Sequence, residues 1–307
     1  MILIVGSSGL LGREVARRLL SRGERLRLLV RSPGKVDDLK QAGAEVMAGD
    51  LTDADSLGRA CDGVDRVFAA AHSILGTGRN KSEKVDDTGH RSLIDAAKAR
   101  GVRQFVYMSA MGASANHPVD FWRTKYRVEN YLTASGLTYT ILRPSAFMEW
   151  HAHTFNGKSI LEQGKTKFIG EGSKLRNFVA VRDVAYFAVL ALTKVELENR
   201  SLDIGGPNNA SNYQVALLYG KLAGIAPTVS RLPAPIARGI GIVLKPFLPG
   251  VSRILHIGSL PDEAFDERFD PAPLLQEFPV KLTSLETFVG EQVRLHQKGE
   301  PASVDVL

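Results

Sequence analysis

Gly6, Gly9 and Gly12 stand three residues apart, directly behind the apolar run 1–5 and directly ahead of a stretch with helical spacing. Each glycine has its own use. Gly6 lets the chain turn sharply off a strand, Gly9 keeps side-chain atoms away from an approaching diphosphate, and Gly12 lets helix and strand pack closely. The helix that follows begins with unpaired N–H groups and a partial positive charge, both suited to an anion. Ser7, Ser8, Leu10 and Leu11 complete the turn and, with the glycines, are expected to contact the phosphates. Val15, Ala16, Leu19 and Leu20 give the helix over 13–20 its apolar stripe. Strand, glycine turn and helix in this order open a dinucleotide-binding βαβ unit, with the spacing G-x-x-G-x-x-G in place of G-x-G-x-x-G.

A second feature selects among dinucleotides. Residues 26–30 read as a strand that ends in Arg31-Ser32-Pro33-Gly34-Lys35. In an NAD-binding unit this strand usually ends in a carboxylate that holds the ribose 2′-OH. A carboxylate repels a 2′-phosphate, whereas the Arg31 guanidinium grips one with two hydrogen bonds, so NADP(H) is the expected cofactor.

These groups need a scaffold, and the rest of the chain describes one. Residues 44–48 form a third expected strand, ending at Gly49-Asp50-Leu51. Asp50 is expected beside the adenine or as the cap of the next helix, with Leu51 next to it. Residues 65–71 are a fourth strand whose small end residues, Ala70 and Ala71, suit a flat nucleotide passing close; a polar loop over 72–81 follows. Helical periodicity over 82–100 stops at Gly101, a fifth strand over 104–108 ends at Ser109, and Asp120 is the expected N-cap of a helix through 132. The sixth strand, 139–142, ends in Arg143-Pro144-Ser145-Ala146-Phe147, where Pro144 and Phe147 are expected to border the cofactor. Strands alternating with helices predict an α/β doubly wound parallel sheet of Rossmann type, with its ligand crevice at the carboxyl ends of the strands. Every segment singled out above lies at such an end.

Composition narrows the function. The chain has 307 residues, room for one large domain or one with an elaborated subdomain. Its single cysteine, Cys61, forms no internal disulfide and reads as a packing residue near a helix end. No signal peptide fits ahead of a strand that begins at residue 2, and no apolar run is long enough for a spanning helix, so a cytoplasmic location is expected. The net charge of +6 collects early, at Arg13, Arg17, Arg18, Arg22, Arg25, Arg27 and Arg31. Without aromatic interleaving or a DNA-binding motif, that surface suits a phosphorylated cofactor rather than nucleic acid.

With these pieces in place, the chain resembles the atypical, NmrA-like branch of the short-chain dehydrogenase/reductase superfamily. The resemblance rests on Gly6-x-x-Gly9-x-x-Gly12, Gly49-Asp50-Leu51, Phe105-Val106-Tyr107-Met108-Ser109, the helix bearing Lys125, the segment 142–148, and Val181-Arg182-Asp183-Val184-Ala185. It covers residues 1 to about 206. It implies Ser109 and Lys125 as catalytic residues, with Lys125 also holding the ribose. Superfamily enzymes that act on alcohols and ketones carry Tyr-x-x-x-Lys, and here the tyrosine position is Phe121. A phenyl ring has no proton to give, and Tyr126 lies about 100° around the helix. Some relatives without the tyrosine reduce substrates; others are cofactor sensors or assembly factors.

Beyond residue 150 the periodicity loosens. His151 and His153 lack a third ligand, so they are read as loop residues near substrate and no metal is expected. Residues 158–176 read as a hairpin or lid, 177–180 as a return to the main domain, Asp183 as a helix cap, and 201–204 as a last strand. The expected division is a Rossmann domain of 1–150 and 178–206, with a smaller, discontinuous substrate region of 151–177 and 207–307. Residues 232–260 are apolar but broken by prolines, Arg238 and Lys245. They read as the wall of a substrate pocket or as a peripheral contact with membrane or protein. The expected function is an NADPH-dependent oxidoreductase acting on an apolar, quinone-like or conjugated small molecule. The alternative is a non-catalytic NADP(H)-binding redox sensor or assembly protein.

Overall fold

The computed structural model describes residues 1–261, 264 and 266–302. The described residues divide into two compact units: Met1–Arg143 with Val184–Asp203, and Pro144–Asp183 with the described residues from Ile204 to 302.

The first unit is built on a sheet. Its strands are β1 (Ile2–Val5), β2 (Leu26–Val30), β3 (Glu45–Ala48), β4 (Arg66–Ala69), β5 (Gln104–Met108), β6 (Thr138–Pro144) and, later in the chain, β10 (Arg200–Ile204). They lie in the order β10-β6-β5-β4-β1-β2-β3. The pairings from β3 through β6 are parallel, with Val5 opposite both Leu29 and Ala69. All four residues of β1 and all five of β5 are buried, as expected of parallel strands covered on both faces. The connecting helices are α1 (Leu10–Leu20), α2 (Asp37–Gln41), α3 (Ala54–Cys61), α4 (His90–Ala99), α5 (Asp120–Ala134) and α7 (Val181–Thr193). Leu57, Cys61 and Leu93 pack with Leu3, Val67 and Phe105 of the sheet in one apolar cluster. Cys61 is buried there, and burial pushes its thiol pKa up to about 11, which makes it an inert packing group.

Several local expectations are corrected. The helix expected over 82–100 begins as a π-turn, Glu83–Gly89, before α4. The wider turn carries the Asp86 carboxylate inward, where it accepts from Ser73 N at 3.0 Å and Ser82 Oγ at 2.5 Å. Asp120 is the first residue of α5 and its N-cap is Val119; the Asp120 carboxylate accepts from the Phe121 amide. Asp50 does not cap α3: it accepts from Thr52 N and Oγ1, and Asp53 is the cap. Asp183 lies in the first turn of α7 and not ahead of it, and its carboxylate accepts from Thr283 N and Oγ1 at 2.7 and 3.0 Å.

The second unit holds β7 (Ala146–Phe147), α6 (Lys158–Gln163), β8 (Lys165–Ile169), β9 (Arg176–Val179), β11 (Asn208–Ala210), α8 (Asn212–Ala223) and β12 (Thr228–Leu232). It continues with α9 (Ala234–Leu244), α10 (Pro249–Gly258), α11 (Ala272–Glu277) and α12 (Leu285–Gln297). Strands β11, β9 and β7 form one small sheet and β12 with β8 another. The segment 158–176 is therefore not a hairpin. β8 pairs in parallel with β12, Thr228 opposite Lys165, and β9 pairs with β7 and β11 instead of joining the large sheet. Met148, Phe178, Tyr219 and Phe288 are among the residues that form this unit's own core. Among the described residues no helix is long and apolar enough to cross a membrane.

Candidate functional site

The glycine turn leaves β1 at Gly6, whose φ of +103° is the left-handed region that favours glycine. A Cβ on Gly6 would stand 2.7 Å from Ala71 N, so the ends of β1 and β4 touch backbone to backbone, and Ala70 N donates to Val5 O at 2.9 Å. This brings Ala70 and Ala71 beside the turn. A Cβ on Gly12 would stand 2.2 Å from Gly6 O, so α1 packs on the turn only with glycine there. Gly9 differs: its nearest neighbour is Gly6 O at 3.5 Å, an ordinary contact, and its outward side is open. Gly9 is the N-cap of α1, no side chain caps it, and no acidic residue occupies the first turn. The first amides of α1 have no intrahelical acceptor. Ser7 is fully buried, and among the described residues its hydroxyl has no hydrogen-bond partner. Ser8 and Leu10 are half-buried and Leu11 is buried. An open backbone, free amides and an unpartnered hydroxyl suit the oxygens of a diphosphate.

At the end of β2, Arg31 is exposed, and its Nη1 donates to Asn80 Oδ1 at 2.7 Å. Asn80 is neutral, so the guanidinium charge stays available to an anion. Arg13 is committed otherwise: it ion-pairs with Asp38 and donates to Lys35 O. Leu51 is buried against Gly89, where a Cβ would stand 3.0 Å from Leu51 Cβ.

At the ends of β5 and in α5 lies the second group. Lys125 is buried, and its Nζ donates to Met108 O at 2.9 Å. The ammonium stands 4.9 Å from the Tyr107 ring centroid and 5.5 Å from that of Phe121. Burial lowers the Lys125 pKa, opposed by the charges of Asp86 and Glu129. Ser109 N donates to Leu142 O at 2.8 Å, while its buried Oγ has no partner among the described residues. Phe121 is buried and packs edge-on against Trp122. The helix carrying Lys125 is fixed by a bidentate pair: Arg143 at the end of β6 donates to Glu129 at 2.9 and 2.6 Å.

Three residues near Lys125 escaped the sequence reading. Asp86, His90 and Tyr107 are fully buried. His90 Nδ1 lies 2.9 Å from Val85 O, its ring meets the Tyr107 ring edge at 5.3 Å, and burial together with the Lys125 charge pushes its pKa down to about 4. Neither His90 Nε2 nor Tyr107 Oη has a partner among the described residues. The available signal was Asp86 and His90 four apart, one turn, on an otherwise apolar face.

The remaining predicted residues belong to the second unit. Pro144 is buried and Phe147 half-buried, the latter paired with Val179 across β7 and β9. His151 and His153 do not converge: His151 Nδ1 meets Arg176 Nη1 at 3.3 Å and His153 Nδ1 meets Tyr219 Oη at 3.0 Å.

Residues 6–194 match a family described as NAD(P)H-binding. An NAD(P)H azoreductase of Xenophilus azovorans is 32% identical over 225 residues, 73% of this chain and 74% of the relative. A photosystem II assembly factor of Guillardia theta is 27% identical over 298 residues, 94% of this chain and 92% of the relative. Among solved structures, an NADPH-dependent quinone oxidoreductase of Escherichia coli complexed with NADPH superposes with a TM-score of 0.75 at 25% identity, covering 95% of this chain and 99% of that one.

Proposed function

The chain belongs to the NAD(P)H-binding family, with the features of its NmrA-like, atypical short-chain dehydrogenase/reductase branch, and from that premise we propose that it is an NADPH-dependent oxidoreductase for apolar, conjugated acceptors such as quinones. The observation that carries this reading is a buried Lys125 whose Nζ donates to Met108 O at the end of β5, where the next residue, Ser109, has a buried hydroxyl without a partner among the described residues, with Phe121 where an acid would be needed for ketones. In this reading the 6–12 turn and the start of α1 hold the pyrophosphate, Ala70 and Ala71 lie along the nucleotide with Asp50 and Leu51 at its adenine end, and Arg31 binds the 2′-phosphate. Bound NADPH supplies a hydride from its nicotinamide. Ser109 offers a hydrogen bond to the acceptor oxygen or nitrogen. Lys125 holds the ribose, and its lowered pKa makes its proton easier to release than an exposed lysine's. A quinone or an azo bond takes up its proton from water once reduced, so neither needs the missing tyrosine. The azoreductase and the quinone oxidoreductase named above are both named for acceptors of this kind.

The assembly factor, similar over nearly the whole chain, supports a second reading: a cofactor-binding protein without turnover. NADPH absorbance decay with a panel of quinones and ketones separates the two. The native chain should reduce quinones and be slower with simple ketones by about 10²-fold or more, the usual worth of general acid catalysis. Lys125→Met should lower the quinone rate, and Phe121→Tyr should raise ketone turnover. Tight NADPH binding with no turnover of any acceptor would reject the enzyme and favour the second reading.

A further inference from the structure

The α9–α10 hairpin is built inside out. The residues of α9 that it buries are the small ones, Ala237 and Gly241, and a Cβ on Gly241 would sit 3.4 Å from Leu255 Cβ and 3.5 Å from Ser252 O. Its large residues face outward. Ile236, Ile240 and Val243 follow one another at i, i+4 and i+7, a single stripe, and the turn into α10 adds Phe247. Val243 is 70% and Phe247 77% exposed. Of the thirteen large apolar residues exposed among the described ones, seven fall between Ile236 and Val251. An ordinary amphipathic helix does the reverse, and scattered exposed apolar residues do not collect in this way.

Charge identifies what covers the stripe. From residue 204 to residue 261 the sequence has no Asp or Glu, while Lys221, Arg231, Arg238, Lys245 and Arg253 supply five positive charges. Arg238 and Lys245, both exposed, belong to the hairpin itself. A second copy of the same face would bring like charges together. Arg231 is paired with Glu171 at 3.3 Å, but an apolar stripe that carries the exposed cations Arg238 and Lys245 on its own hairpin matches a bilayer with anionic headgroups, where acyl chains accept the side chains and phosphates accept the cations. Neither helix is long enough to span; each has the length of one that lies in the interface plane.

We propose that the α9–α10 hairpin docks this protein on an anionic lipid surface, with Ile240, Val243 and Phe247 entering the acyl boundary and Arg238 and Lys245 at the phosphates. The proposal is independent of the reductase reading. It is tested by floating the full chain with vesicles of phosphatidylcholine alone and of phosphatidylcholine mixed with phosphatidylglycerol. At low salt the mixed vesicles should carry at least about tenfold more protein, the scale expected of several juxtamembrane cations, and raising the salt should remove that excess. The double variant Val243→Asp/Phe247→Asp, whose native side chains are exposed, should keep the native melting temperature and lose flotation; Lys245→Glu should weaken it. Two results overturn the proposal. One is a folded double variant that floats as the native chain does. The other is a native chain that ignores the mixed vesicles, whether it stays monomeric in sedimentation or forms a dimer that the double variant dissolves.

Discussion

In the proposed reading, Arg31 carries the choice between the two nicotinamide dinucleotides. Its position after β2 is readable because a five-residue strand with four apolar residues stops there, and strand ends in this fold face the ribose. Its contact with Asn80, forty-nine residues on, is not, since nothing local in the sequence brings the loop 72–81 to it. Because Asn80 is neutral, the contact orients the guanidinium without cancelling its charge. Fluorescence titration should show NADPH binding about tenfold tighter than NADH, the worth of one good charged contact. Arg31→Asp should erase the difference, and equal affinities in the native chain would reject the assignment. The same contrast holds for Lys125. Its presence in the α5 sequence was plain, but its lowered pKa comes from desolvation among Tyr107, Phe121 and the sheet, which only packing creates.

At the scale of the element, the glycine turn separates two uses of the same residue type. Gly9 has an extended backbone, φ −90° and ψ 164°, that any residue adopts, and its Cβ direction is open. Gly9→Val should therefore fold, and it should lose NADPH binding because the branched side chain fills the space left for a diphosphate. Gly12 has no such freedom, since a Cβ there meets Gly6 O at 2.2 Å. Gly12→Ala should push α1 off the turn and lower stability by about 2 kcal/mol, within the range for overpacking, seen as a fall in melting temperature. Normal NADPH affinity in Gly9→Val would place the cofactor elsewhere. The sequence spaced these glycines evenly and assigned their separate roles by analogy with the βαβ unit; the contact distances supply the physical basis. The π-turn at Glu83–Gly89 had no such pattern, because an extra residue in a helical turn is held by its partners, here Ser73 and Ser82 on Asp86, and not by periodicity.

Across the whole molecule, stability should carry a pH dependence set by Glu149. Burial raises its carboxyl pKa to about 7, although Val181 N donates to both of its oxygens at 3.0 and 3.1 Å. The folded chain therefore keeps a proton on Glu149 at pH values where the unfolded chain has lost it. Stability from this group is highest below the unfolded carboxylate pKa, falls as pH rises from about 4.5 to about 7, and is level above that, a loss of up to about 3 kcal/mol. Denaturant unfolding of the native chain and of Glu149→Gln across this range should show the gap between them widening toward pH 7 in favour of the variant; parallel curves would rule the effect out. The sequence by itself determined the alternation of strands and helices, the glycine turn at the end of β1, and the loss of the tyrosine at Phe121, because each is written in spacing between near neighbours. Only the tertiary structure decided that β8 pairs with β12 some sixty residues away, that Thr283 takes the Asp183 carboxylate, that Lys125 and Glu149 are stripped of water, and that α9 turns its large side chains outward. Burial and pairing of this kind sum over distant residues, and a local pattern does not contain that sum.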